Sequence, residues 1–362
     1  MNYVNLATFL FFTANGITIV VLPPYLRDLG VASETVIGAV ISTAFFISIV
    51  VRPLGGFLGE KIGYMEAMRL GAAFAVSAQL MYLLGDVRWV QAGRVLHGLA
   101  IATFLPMSVA ASVTEGTRSM ASRSLAVGVG NVVGPLIGST TYDIGGATSS
   151  LATALVLHGT NLALVIRSPP LAMWEQGGGG GVERRVYLYM GFLALYSAVY
   201  TSLSTFVPVH LKDLTLPIAY WGLFSATAAL ISLLPRAALA RRGSVNTLMA
   251  GGATAGAMVG LVLVTLAKSP LDFVTAGMTY GLGQGAVVVT YQILALAGHK
   301  RAGVASAVYT TGWDLGAITG PLITGRLVEN LGYDVLHYLP LLLLISTATL
   351  FFMYLTERRG VS

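Results

Sequence analysis

The decamer "GNVVGPLIGS" fills Gly130–Ser139, and "GAITGPLITG" fills Gly316–Gly325. Each sets Gly and Pro side by side in a long apolar run. In a water-exposed helix Gly costs about 1 kcal/mol and Pro about 3. A membrane span tolerates both, because neighbouring helices re-satisfy the backbone carbonyl that Pro leaves without a donor. Reading the two runs as membrane spans, not as broken soluble helices, decides the fold.

The composition requires that reading. Apolar residues are 55% of the 362 and charged residues 10%, where a soluble domain carries about 25% charge. No soluble core of this size hides so much apolar surface, so lipid is the solvent. A helical span takes about 20 mostly apolar residues, and twelve spans with short loops use nearly the whole chain. The apolar runs predict spans at about 4–23, 34–57, 67–84, 89–112, 121–142, 149–166, 186–210, 218–238, 246–267, 271–296, 303–327 and 335–355. The opening residues "MNYVNLATFL" lack the basic stretch and cleavage site of a signal peptide, so the first span is expected to be retained.

Two halves are expected. The stretch 167–185, "RSPPLAMWEQGGGGGVERR", contains two prolines and five consecutive glycines, which preclude a stable helix. The expected layout is a six-helix bundle over 1–167, a cytoplasmic linker over 168–185 and a second six-helix bundle over 186–362. With the N-terminus inside, fifteen Lys and Arg fall on cytoplasmic ends and loops, and five (Arg27, Arg88, Lys212, Lys268 and Arg326) on outer ones. That is the positive-inside pattern, with both termini cytoplasmic. The net charge of +6 therefore reads as topology, not as nucleic-acid binding. At an offset of 186, Gly130, Gly134, Pro135, Leu136 and Ile137 fall on Gly316, Gly320, Pro321, Leu322 and Ile323. These are spans 5 and 11, equivalent places in two six-span units, and parallel repeats of six spans are a transporter architecture. The glycines predict close approach of these spans to partners in the opposite half.

Several motifs carry a resemblance. "GFLGEKIG", Gly56–Gly63, lies between spans 2 and 3 and has Gly56, Leu58, Lys61 and Gly63 at fixed spacing, with Glu60 as the acid. "RVLHG" in span 4 supplies Arg94 and Gly98, with His97 between them, and the Gly-Pro decamer follows in span 5. Over essentially its whole length the chain resembles the major facilitator superfamily, and its motifs are most similar to the drug–proton antiporter branch. It departs from the pattern at Glu60 (usually Asp), at Tyr64 and Met65 (usually basic), at His97 (usually Gln) and at Ala240 in the counterpart after span 8. The resemblance implies an all-α membrane fold of twelve helices in two pseudo-symmetric bundles. It also implies a cytoplasmic gate loop at Gly56, Glu60, Lys61 and Gly63, in which Glu60 meets a helix N-terminus or pairs with Arg118 or Arg123. A solvated loop charge is the alternative.

Ionisable groups at mid-membrane cost about 2.5–3.5 kcal/mol on insertion scales and are functional candidates by default. Asp314 is the one acid near the middle of a span, and Arg94 is the clearest base inside one. Asp314 is two residues, about 200°, from Gly316, so it points away from the Gly face and toward a central cavity, with Thr310 on its own face. It reads as a proton-coupling acid or as a permanently ionised structural one. Arg94 and His97, three residues apart, read as proton or substrate handling, or as interhelical hydrogen bonding. His158 and Asn161 in span 6 read as a structural pair. In spans that line the cavity in the resembled family, Asn15, Tyr196, Tyr200, Tyr280, Gln284 and Tyr291 form a candidate substrate pocket suited to amphipathic or cationic ligands, with ordinary helix packing as the alternative.

No phosphate loop, nucleophile elbow or metal-ligand cluster is present, and there is no Cys. No enzyme activity, cofactor or metal is expected, and without an ATP-binding domain transport runs on gradients. The expected partners are a small-molecule substrate, protons and the lipid bilayer, with no nucleic acid, and the chain is expected to act as a monomer in the plasma or inner membrane. Proton-coupled export is favoured. A metabolite importer or facilitator is the runner-up, and a membrane receptor or sensor the rival from another class. An embedded enzyme or scramblase would need a catalytic cluster or polar groove that the chain lacks.

Overall fold

A computed structural model of the chain describes residues 3–114, 117–169, 182–242, 244–296 and 302–359; the side chains of 53–60, 113–121, 240, 302–304, 307, 358 and 359 lie outside the described set. In lipid every backbone amide must be satisfied within its own segment, and the described residues are almost all helical. In chain order these are α1 (Tyr3–Asp28), α2 (Glu34–Ile62), α3 (Tyr64–Tyr82), α4 (Val87–Thr114), α5 (Thr117–Arg167), α6 (Arg184–Asp213), α7 (Ala219–Ile231), α8 (Leu233–Arg242), α9 (Thr247–Leu266), α10 (Pro270–Leu296), α11 (Ala302–Leu331) and α12 (Leu343–Arg359).

Among the described residues, eight helical stretches are long and apolar enough to cross a membrane. One of them, 122–167, holds two expected spans. At Gly146 the backbone leaves the helix with φ 73°, a value open chiefly to glycine. Ser150 Oγ then donates to Gly138 O at 3.0 Å. In a straight helix residues twelve apart would lie about 18 Å apart, so the chain doubles back between spans 5 and 6. The expected span 218–238 is α7 plus the start of α8, interrupted at Ser232, whose hydroxyl donates to Ala229 O at 2.7 Å. The helices α3, α10 and α11 are less apolar, and their polar residues Gln79 and Asp314 turn inward, 0% and 4% exposed.

Two expectations change. The segment expected as a gate loop at Gly56–Gly63 is mostly helix. The helix α2 continues to Ile62 and α3 starts at Tyr64, leaving Gly63 (φ 97°) as the whole turn. No proline stands between Gly56 and Ile62, and a membrane helix tolerates Gly59, so Gly56, Glu60 and Lys61 occupy the last turns of α2. The expected linker falls mostly outside the described residues.

The chain divides into two compact units. The first is Met1–Gln176 with Ser204–Gly222, and the second is Gly177–Leu203 with Leu223–Ser362. In the first unit, α5 lies on α1 along its glycines. A Cβ on Gly130 would stand 2.9 Å from Phe12 Cβ, and one on Gly138 would stand 2.8 Å from Ile17 Cα. Gly16 answers from α1, where a Cβ would meet Pro135 Cδ at 2.8 Å. In the second unit Gly312, Gly316 and Gly320 lie on the α6 backbone at Met190, Ala194 and Ala198. Ser197 Oγ donates across this seam to Trp313 O at 2.7 Å. The expectation that these glycines approach the opposite half is therefore corrected. The glycines of span 5 lie on span 1 and those of span 11 on span 7, each inside its own half; what span 5 turns to the other half is Pro135 and Ser139, which face Gly222 of α7. The physical reason is that small-residue seams give their return only where whole helices lie side by side.

Candidate functional site

The first unit holds a buried polar chain. Arg94, 2% exposed, donates from Nε to Val40 O of α2 at 3.3 Å and from Nη2 to Ile41 O. Its guanidinium lies 5.9 Å from the Phe45 ring centre. The hydroxyl of Tyr82 on α3 lies 3.1 Å from His97 Nδ1 on α4. His97 Nε2 then donates to Asn15 Oδ1 at 2.8 Å. The chain runs Tyr82, His97, Asn15: with the proton of the neutral ring on Nε2, Nδ1 accepts from the Tyr82 hydroxyl, so both nitrogens are engaged. Two of the expected residues, His97 and Asn15, thus come together, with Arg94 one turn from His97 on α4. Tyr82 was not among the candidates; its position one turn below Gln79 on a buried stripe of α3 is its only trace in the sequence.

His158 and Asn161 do not form the expected pair. Both are 0% exposed, and all four of their side-chain polar atoms have no hydrogen-bond partner among the described residues. The His158 ring sits 5.4 Å from Phe11 and 6.4 Å from His97. It therefore faces the interior of the first unit, because the chain reversal at Gly146 brings span 6 back against α1 and α4.

The second unit holds an aromatic cluster. Tyr196 of α6 donates from its hydroxyl to that of Tyr280 on α10 at 2.7 Å. Tyr200 stacks on Tyr280 at 5.6 Å, nearly parallel at 4°, and Phe224 of α7 stacks on it from 5.4 Å. Trp313 of α11 lies 6.1 Å from Tyr200. The rings meet because Gly277 and Gly281 let α10 rest on the α7 backbone at Phe224 and Ala228. Asp314, next to Trp313 in sequence, is 4% exposed and is the only buried acid among the described residues. It stands about 200° from the Gly312 and Gly316 seam, as expected, and is packed in, not open to solvent. Thr310 is exposed and bonds Ser306 O of its own helix at 2.9 Å.

The α10 stripe splits. Tyr280 belongs to the aromatic cluster. Gln284 is half-buried, with its Oε1 lacking a hydrogen bond. Tyr291 instead bonds Thr254 of α9 at 2.7 Å and packs on Tyr189 and Phe192. Three turns separate it from Tyr280, so the two cannot line one small site. Of the expected gate residues, Arg123 donates from Nε and Nη2 to Ser108 Oγ of α4 at 3.1 and 2.9 Å. The side chains of Glu60 and Arg118 lie outside the described set. Phe224 and Trp313 were missed, since single apolar aromatics carry no periodic signal.

The comparisons with known proteins agree with the fold. The sequence model of the major facilitator superfamily matches residues 4–321. The chain is similar to an uncharacterised MFS-type transporter of Burkholderia mallei (strain SAVP1), 25% identical over 360 residues, covering 90% of this chain and 84% of that one. It is similar to the multi-drug resistance efflux pump PmrA of Streptococcus pneumoniae serotype 4 at 23% identity, covering 91% of this chain and 89% of that one. Among solved structures, the nucleoside transporter NupG superposes with a TM-score of 0.78 at 14% identity, covering 98% of this chain and 99% of that one.

Proposed function

Because the chain belongs to the major facilitator superfamily, we propose that it is a proton-coupled transporter that exports small apolar or cationic compounds by alternating access. It is a membrane transporter, not an enzyme. Export is supported by the likeness to a protein named as an efflux pump. Residence in the plasma or inner membrane with both termini inside is supported by the distribution of bases.

The observation that carries proton coupling is Asp314. A carboxyl group that is 4% exposed at mid-span is expensive to keep, and a proton is the cargo that changes its charge. In the same unit the rings of Tyr200, Tyr280 and Phe224 stack on one another, and parting them would uncover flat apolar faces of the kind that take planar or cationic compounds. In the first unit, the Tyr82–His97–Asn15 chain lies one helical turn from the fixed positive charge of Arg94.

The test uses purified protein in vesicles with an imposed pH gradient and a panel of cationic dyes, sugars and amino acids. Asp314→Asn is expected to abolish gradient-driven dye movement while leaving dye exchange at equal pH, and Asp314→Glu to retain part of the driven flux. Full gradient-driven transport by Asp314→Asn would overturn the coupling assignment, and sugar movement without proton flux would overturn export.

A further inference from the structure

Span 6, the part of α5 after Gly146, is fastened at both ends and unfastened between them. At its outer end Ser150 Oγ donates to Gly138 O at 3.0 Å and lies 2.8 Å from Thr141 Oγ1, and Ser149 Oγ donates to Thr141 O at 2.8 Å. At its cytoplasmic end Arg69 of α3 donates from Nε to Val165 O at 3.0 Å and from Nη2 to Ser168 O at 2.7 Å. Over 151–164 the side-chain hydrogen bonds among the described residues stay inside the helix: Thr153 donates to Ser149 O at 2.9 Å and Thr160 to Val156 O at 2.8 Å.

That middle stretch carries stranded polar groups. His158 and Asn161, three residues apart and so on one face, are each 0% exposed, and none of their four polar atoms has a partner among the described residues. A neutral imidazole brings one donor and one acceptor, and a carboxamide brings two donors and an acceptor. Phe11 meets the His158 ring edge-to-face at 5.4 Å, and an aromatic face is at most a weak acceptor. Gln79 of α3 adds a fifth stranded atom in the same unit: its Nε2 donates to Thr18 Oγ1 at 2.6 Å, while its Oε1 has no partner.

Complete burial means that no water touches His158 or Asn161 in this conformation. Turning outward would not relieve them, because the outer face of span 6, where Val156 is 67% exposed, meets lipid. Relief comes from inside the unit. The His97 ring lies 6.4 Å from the His158 ring, and the Tyr82–His97–Asn15 chain ends on Asn15, which is half-buried.

We propose that His158 and Asn161 form a water-binding site that is shut in this conformation and fills when the middle of span 6 bows away from α1 and α4. The stranded groups select the ligand. Donors and acceptors are left over together, and a water molecule, which gives two hydrogen bonds and takes two, bridges one helical turn between them. The one buried acid among the described residues, Asp314, lies in the other unit, so a cation finds no counter-charge here. The ties at Ser150 and Arg69 hold both ends of the helix, so the two states differ in the middle of one span while the bundle stays assembled. Filled, the site joins His158 through water to His97 and so to the polar chain.

The test is hydroxyl-radical footprinting of the purified protein in lipid vesicles, with pulsed X-rays and mass spectrometry. Radicals made from water held inside the protein label the side chains around it. Phe206 and Phe273, 0% and 1% exposed, serve as dry references for Phe11, which is 0% exposed. An open state populated at about 1–10% is expected to label Phe11 about tenfold faster than the references, which are reached only when the fold itself opens. In His158→Phe/Asn161→Leu the stranded atoms are gone, and Phe11 is expected to fall to the reference rate. His158→Gln keeps a donor and an acceptor and is expected to keep Phe11 fast, which shows that the loss in the apolar variant is not misfolding. Labelling of Phe11 at the reference rate in the parent protein would overturn the site. Fast labelling that persists in His158→Phe/Asn161→Leu would do the same, as would slow labelling in His158→Gln. Neither cargo nor a proton gradient enters the measurement, so its outcome is separate from that of Asp314→Asn.

Discussion

At the scale of single residues, Tyr82 and Thr215 carry the most testable consequences. Tyr82 donates to His97 Nδ1, so Tyr82→Phe leaves a buried imidazole short of a partner. The expected loss is about 1–3 kcal/mol, read as a lower thermal midpoint of the purified protein. Tyr25→Phe, at a hydroxyl that bonds only the Tyr82 carbonyl among the described contacts, should lose less. Thr215 stands at φ 58°, so Thr215→Gly removes left-handed strain worth about 1–2 kcal/mol, and the midpoint should rise. No rise would mean that the Thr215 side chain has a compensating contact. The sequence pointed to Arg94, His97 and Asn15 because ionisable and amide groups inside apolar runs stand out. It was silent on Tyr82 because a tyrosine on a buried helix face looks the same whether its hydroxyl holds a histidine ring or merely fills space.

At the scale of helices, the glycine seams do equal work in the two units. Gly134 lies against the Thr13 carbonyl and Gly320 against the Ala198 carbonyl, positions related by offsets of 186 and 185 in sequence. Gly134→Leu and Gly320→Leu are each expected to push α5 off α1, or α11 off α6, by overpacking worth about 1–3 kcal/mol or more. Both should lower the yield of monodisperse protein in size-exclusion chromatography, while Gly159→Leu, where a Cβ meets nothing within 4 Å, should not. The repeat and its period were legible in the decamers, since two Gly-Pro runs in matching register mark a duplicated helical unit. Their partners were not legible, because a small-residue face states only that something comes close. The reversal at Gly146 was likewise hidden: "DIGGAT" marks a break, but not that span 6 would return to aim His158 at α1 and α4.

At the scale of the whole chain, composition alone decided that lipid is the solvent, and the distribution of bases proposed the orientation. That orientation predicts that a reporter fused after Arg359 is active only if it works in the cytoplasm. Activity of a reporter that requires export would invert the assignment. Spans and their count were readable because apolar runs are long and loops short. The division into units was not, for Ser204–Gly222 joins the first unit through contacts such as Arg27 with Asp213, and pairing between charges nearly two hundred residues apart leaves no local mark.

The pairing of α1 with α5 has a consequence for synthesis. Gly16 meets Pro135, so α1 enters the bilayer about 120 residues before its packing partner exists. At about 5–20 residues per second, that is a wait of about 6–24 s. During it α1 stands in lipid with its small and polar face uncovered. Its hydroxyls are already provided for: Thr8 donates to Val4 O at 2.8 Å, Thr13 to Phe9 O at 2.8 Å and Thr18 to Ala14 O at 2.9 Å, each within the helix. A helix that satisfies its own threonines is fit to be inserted alone. Asn15 has no such internal partner among the described contacts. Until His97 arrives, its carboxamide is a group for which the nascent chain needs help, from a translocating channel or an attendant chaperone.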